Sequence, residues 1–158
     1  MTTMPRRLRI LGDDEIEGLY GRPHFTQEER MEYFTLSREE KTVLEQLHSL
    51  KSRLHFVLQL GYFKARHLFF VFDVPEVMED ALYIRDQYFP GGQFTDIDIT
   101  KVTRLRQQRF ILALSNYRNC HAKERAQLET KAQQASRVDS KPVYIFRELT
   151  HYLVSIYA

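Results

Sequence analysis

The segment from Ser49 to Phe63 sets the narrowest limits on the fold. Ser49 offers a helix start, Leu50, Leu54, Val57 and Leu60 follow at helical spacing, and Phe56 and Phe63 lie alongside. Apolar residues spread this widely round one helix leave little face for water, so the segment is predicted to be a central, buried helix. The rest of the chain suits helical partners for it. Only 6 Gly and 5 Pro occur in 158 residues, too few turn formers for a strand-rich architecture. A hydrophobic fraction of 43%, with 11 Phe and 9 Tyr, is enough to fill a core.

Other helix starts are legible on both sides. Thr26 with Glu29 and Ser37 with Glu40 read as capping boxes, opening helices to about Phe34 and about Leu47. Asp73-Val74-Pro75-Glu76 combines a capping Asp, an early Pro and a Glu at the third position. The stripe Val77, Ala81, Ile84, Tyr88 follows, and Pro90-Gly91-Gly92 ends it. Residues 94–99 read as extended or loop, and Thr100 caps a helix to about Ser115. A polar helix with a thin apolar face is expected over Ala122 to Val138. Ser140 is expected to cap a last one with Ile145, Leu149, Tyr152 and Ile156 on one face. Residues 1–25 look irregular. The expectation is an all-α fold of about seven helices. Residues 1–72 form a first module, 73–138 a second of helix-turn-helix kind, and 139–158 begin a linker helix. That last helix meets the chain end without a stop signal and reads as cut.

Net charge is only +2, but its distribution is uneven. From Gln46 to Phe72 there is no acid, while Lys51, Arg53, Lys64 and Arg66 are basic. From Ile99 to Lys123 there is again none, and Lys101, Arg104, Arg106, Arg109, Arg118 and Lys123 are basic. Two local basic fields matter more for phosphate than the near-neutral sum. One cysteine, Cys120, excludes an internal disulfide and a cysteine-based zinc site. None of the histidines 24, 48, 55, 67, 121 and 151 is paired at i, i+4 with another His or with a Cys. No Gly-rich phosphate loop, nucleophile elbow or Ser/His/Asp arrangement occurs. The expectation is therefore no metal, no cofactor and no catalysis by these residues. No apolar run is long enough to span a bilayer, and the start lacks a signal-peptide core, so a cytoplasmic protein with no membrane partner is expected.

Several elements together resemble the N-terminal region of replicative transposases of the Tn-three family. They are Phe34-Thr35-Leu36-Ser37; Ser52-Arg53-Leu54-His55-Phe56-Val57-Leu58-Gln59-Leu60-Gly61-Tyr62-Phe63; Arg104-Leu105-Arg106-Gln107-Gln108-Arg109; Tyr117-Arg118; and Phe146-Arg147-Glu148-Leu149-Thr150-His151-Tyr152-Leu153. The element from Arg53 to Phe63 is the most specific. The resemblance runs from about Leu8 to Tyr157. It implies small helical DNA-binding modules that recognise the terminal inverted repeats of a bacterial transposon, with the catalytic domain of the transposase lying outside this chain. It also implies a nucleoid-associated setting and self-association through the whole transposase.

The helix after Thr100 is the expected reader of double-stranded DNA. Lys101, Arg104, Arg106, Gln107, Gln108 and Arg109 occupy its first half, and Phe110-Ile111-Leu112-Ala113-Leu114 its second. A helix buried at its C-terminal end can project its N-terminal end into a major groove, where Arg pairs with guanine and Gln with adenine. A solvated basic face is the plain alternative. Arg53 and His55 lie in a largely apolar helix and suit an internal role as well as a DNA contact. Lys64 and Arg66 serve either the helix dipole or a phosphate. Arg6, Arg7 and Arg9 form either a minor-groove arm or a simple tail. Tyr62, Phe63, Phe69, Phe70 and Phe72 suit a core better than base stacking. The rival for the whole chain is a non-catalytic protein–protein module that docks an acidic partner or another copy.

Overall fold

The structure is a computed structural model and describes residues 9–157, with side chains to residue 153. Arg6 and Arg7 lie outside the described residues. Eight helices follow one another: α1 (Asp13–Tyr20), α2 (Gln27–Tyr33), α3 (Arg38–Glu45), α4 (Leu50–Arg66), α5 (Val74–Tyr88), α6 (Lys101–Leu114), α7 (Ala122–Val138) and α8 (Pro142–Tyr157). No strand occurs among the described residues, and the fold is all-α. No helix among them is long and apolar enough to cross a membrane.

The extra helix is α1, in the stretch expected to be irregular. Its acids, Asp13, Asp14 and Glu15, fill the first turn, where they favour the helix dipole. The Gly12 amide donates to Glu15 Oε2 at 2.9 Å. Thr26, Ser37 and Asp73 each complete the expected capping box with Glu29, Glu40 and Glu76. Ser49 and Thr100 cap α4 and α6 through the amides of Ser52 and Thr103. The start of α8 differs from expectation. Asp139 Oδ1 accepts from the Lys141 amide at 2.9 Å, and the Lys141 carbonyl takes the first helical bonds, from Tyr144 and Ile145.

The chain divides into two compact units. One is Leu19–Ser115; the other joins the chain up to Gly18 with the chain from Asn116 onward. Across residue 72, where a division was expected, α4 packs against α2 and α3 on one hand and α5 and α6 on the other. A helix apolar nearly all round needs partners on every side, and those partners come from both halves of the sequence. Across residue 139, the other expected division, α7 and α8 pack on each other.

Within Leu19–Ser115 the core is aromatic. The Phe34 ring meets Phe25 at 5.3 Å and Tyr62 at 6.0 Å, both edge-on. Tyr62 also meets Phe72 at 5.6 Å, and Phe63 stacks on Phe69 at 4.9 Å. These rings pack on one another, as core residues do. Phe34 lies so close to α4 that only a glycine fits opposite it, at Gly61. Tyr88 Oη donates to the Phe34 carbonyl at 2.7 Å and accepts from the Leu36 amide at 3.1 Å, joining α5 to the turn before α3.

Polar side chains fix the helices that this core brings together. Asp80, buried on α5, accepts from Arg30 Nε at 2.7 Å and from the Tyr62 hydroxyl. The hydrogen bond to Asp80 raises the Arg30 pKa; burial, then the Asp80 charge, raises that of Tyr62. The buried Gln59 amide accepts from the Phe70 amide at 3.2 Å and donates to the Phe70 carbonyl. It thus acts as a substitute backbone strand for the segment after α4.

In the other unit, the Glu124 carboxylate accepts from Arg118 at 2.6 Å and from the His121 amide at 3.1 Å. Lys131 lies over the Tyr152 ring at 5.7 Å, and Arg147 approaches Glu15 at 3.6 Å.

Candidate nucleic-acid interface

The inner side of α6 is set by Gln107, which is 1% exposed, and by Ile111, which is fully buried. Gln107 Nε2 donates to the carbonyl and the hydroxyl of Ser52, each at 3.0 Å, and Gln107 Oε1 lies 3.1 Å from His55 Nδ1. The Ser52 carbonyl can only accept, so the amide nitrogen must face it. That leaves the amide oxygen for His55, whose Nδ1 therefore carries the proton. The imidazole stacks on Phe72 at 5.1 Å. Burial lowers the His55 pKa below 6.5; the Gln107 acceptor works against this, and the Arg104 charge adds to it. Gln107 was expected to read bases. It instead pins α6 to α4, and a buried amide with all its bonds made inside is not available to a duplex.

With Gln107 inward, helical geometry places the other residues. Arg104 and Arg106 are two positions apart and point to opposite sides of α6. Arg104 lies on the flank toward α4, close enough for His55 to feel its charge. Across the outer arc the order is Lys101, Leu105, Arg109, Val102, Arg106, as about 3.6 residues per turn dictates. All five are exposed. Gln108 is half-buried at the Lys101 edge of that arc. Among the described residues none of Lys101, Arg104, Arg106 and Arg109 makes an ion pair. The Arg106 guanidinium rests 5.6 Å from the centre of the Phe110 ring, a contact that leaves its donors open.

The other basic residues named from the sequence are differently placed. Lys64 Nζ bonds Glu40 at 2.9 Å and the Thr35 carbonyl at 3.1 Å, holding α4 to α3. Arg53 Nε donates to the Leu47 carbonyl at 2.7 Å, and its guanidinium lies over Phe89. Lys51 faces Asp96 at 3.5 Å, Arg118 pairs with Glu124, and Arg9 pairs with Asp13. Arg66 lies half-buried on the last turn of α4, with Nε shielded from solvent. The structure thus gathers Lys101, Arg106 and Arg109 on one face and turns Lys64, Arg53 and Gln107 to internal work. A cavity of about 340 Å³ beside the first turn of α6 is lined by Lys51 and Arg106 but also by Asp98, so its charge is mixed. No group of His, Cys, Asp and Glu able to hold a metal ion occurs among the described residues.

Val102 and Leu105 were not singled out from the sequence, where an aliphatic residue reads as inward. Their signal was the inward row Gln107, Ile111, Leu114, which puts them on the opposite side.

No curated protein matches the chain, and no solved structure does. The family model described as Domain of unknown function (DUF4158) matches residues 10–156. That span takes in α6, the α4 helix that holds it and the α7–α8 pair, and the chain belongs to this family.

Proposed function

We propose that this chain binds double-stranded DNA sequence-specifically through the outer face of α6, at the terminal inverted repeats of a transposable element. The observation that carries the reading is the outer arc of α6. It presents three cations without an ion pair among the described residues, inside a stretch from Ile99 to Lys123 that has no acid. The order across the arc suits a groove. Lys101 and Arg106 lie at its two rims, where phosphate walls would stand, and Arg109 lies midway, where base edges would be. The family is typically found in transposase-related proteins, and the element Arg53 to Phe63 resembles the Tn-three transposases. The role is binding, without a cofactor or chemistry of its own, in the bacterial nucleoid.

Fluorescence anisotropy with a labelled duplex tests this. Lys101→Ala and Arg106→Ala should weaken cognate and random duplex alike, each reducing the slope of log affinity against log salt by about 0.9. Arg109→Ala should weaken the cognate duplex more than the random one. Salt-independent binding, or affinity unchanged by all three substitutions, would show that α6 is not the interface. A second reading, a protein–protein module serving self-association, is favoured by the exposed apolar side chains Met31, Val71 and Met78 of the Leu19–Ser115 unit. Concentration-dependent sedimentation without DNA separates it from the first.

A further inference from the structure

Two aliphatic side chains stand in the middle of the basic arc. Val102 is 78% exposed and Leu105 is 41% exposed, with Arg109 between them and Lys101 and Arg106 outside them. Exposing Val102 to this degree at an otherwise cationic face gives up hydrophobic burial that a polar residue would not forgo. The surrounding charge selects the occupant. Lys101 and Arg106 at the rims and Arg109 between them, none ion-paired among the described residues, match a polyanion, and a helix seated between two phosphate walls turns its central row to the base edges. On those edges in the major groove, the C5-methyl of thymine is the apolar group that an aliphatic side chain can contact.

Resting on the reading of α6 as the DNA-contacting helix, we propose that Val102 and Leu105 are specificity-determining residues that read thymine through its methyl group. They take the place in base recognition that Gln107 vacates by turning inward. Arg109, between them, supplies the donors for an adjacent guanine. The recognised sequence then contains thymine next to guanine, on one strand or across the two, at the centre of the α6 footprint.

The test uses the full chain. A duplex is selected from a random-sequence pool, then remade with uracil in place of each thymine in turn, which deletes one methyl and keeps every hydrogen-bonding group. At one or two positions the unaltered protein should lose about fourfold in affinity, the transfer value of a single methyl group. Val102→Ala or Leu105→Ala should remove that sensitivity; both residues are exposed, and circular dichroism checks that the fold is kept. Suppose a selected duplex binds with salt-dependent, Arg109-sensitive affinity, yet no uracil substitution matters, or the variants keep the thymine-to-uracil ratio of the unaltered protein. Then the thymine reading is overturned while α6 stands as the interface. If no duplex is enriched at low salt, DNA binding fails and this inference with it.

Discussion

Replacing Gly61 by alanine adds one methyl group to the middle of α4 and sets two effects against each other. Alanine is favoured over glycine inside a helix by about 1 kcal/mol, so helix propensity alone raises stability. Space argues the other way. A Cβ at position 61 would stand 2.4 Å from both Cδ1 and Cε1 of Phe34 and 3.4 Å from the Tyr33 carbonyl oxygen. Carbon atoms in contact sit about 3.5–4.0 Å apart, so the overlap with the ring exceeds an ångström. The ring has nowhere to withdraw. Phe34 is 1% exposed and is bracketed by Phe25 at 5.3 Å, Tyr62 at 6.0 Å and Tyr83 at 6.2 Å. Overpacking a closed core costs about 1–3 kcal/mol, and an overlap with two ring atoms belongs at the upper end. The net expectation is a loss of about 2 kcal/mol, or roughly 1 M in the urea midpoint at a typical slope. Urea unfolding followed by far-ultraviolet circular dichroism measures it. The double variant Gly61→Ala with Phe34→Leu should be more stable than the sum of the single changes implies, because the shorter side chain makes room. A midpoint that rises in Gly61→Ala would mean that propensity outweighs packing here, and the tight approach of α2 to α4 would be wrong.

Gln107→Leu should cost about 2 kcal/mol or more, because the Ser52 hydroxyl and the His55 Nδ1–H lose their buried partner, and the same urea titration reads it. It should leave the salt slope of DNA binding unchanged, unlike Lys101→Ala. His55 is held below its ordinary pKa of 6.5 by burial, so the unfolded chain takes up its proton first as pH falls. Stability should decline as pH drops below 6.5 and level off, for this group, once the folded pKa is passed; His55→Gln should flatten that part of a pH series of urea midpoints. Asp80→Ala should destabilise by about 3 kcal/mol, since it takes the buried acceptor from the Arg30 Nε–H and from the Tyr62 hydroxyl. Glu79→Ala, which removes the 85% exposed partner of the same arginine, should cost under about 0.5 kcal/mol in the same assay.

Local signals in the sequence were reliable where the physics is local. Thr26, Ser37, Ser49, Asp73 and Thr100 each carry their capping bond within three residues, and each helix starts where they place it. The first turn of α1 misled because Asp13, Asp14 and Glu15 suit a loop and a helix start equally. Ser140 misled because Asp139, one residue earlier, takes the amide of Lys141. The grouping of helices was harder to see. α4 packs on α5 and α6 as well as on α2 and α3, as the apolar girdle round α4 requires, but which helices supply those neighbours is not written in any local signal. At the candidate site, basic residues could be counted but not sorted. Whether a cation is spent on an acid depends on partners far off in sequence, as Lys64 with Glu40 shows. By residue type Gln107 reads as a base contact, but Ile111 and Leu114, one and two turns on, mark its side of the helix as inward, and the side chain is buried there.

The peg that Gln107 makes with Ser52 and His55 lies diametrically opposite the exposed arc of α6. Anchorage and contact surface are thus separable on a single helix. Residues 102, 105 and 109 can be exchanged as a set while the peg keeps the same rotation and depth, so, on the proposed reading of α6, the scaffold could be retargeted to a different sequence without being refolded.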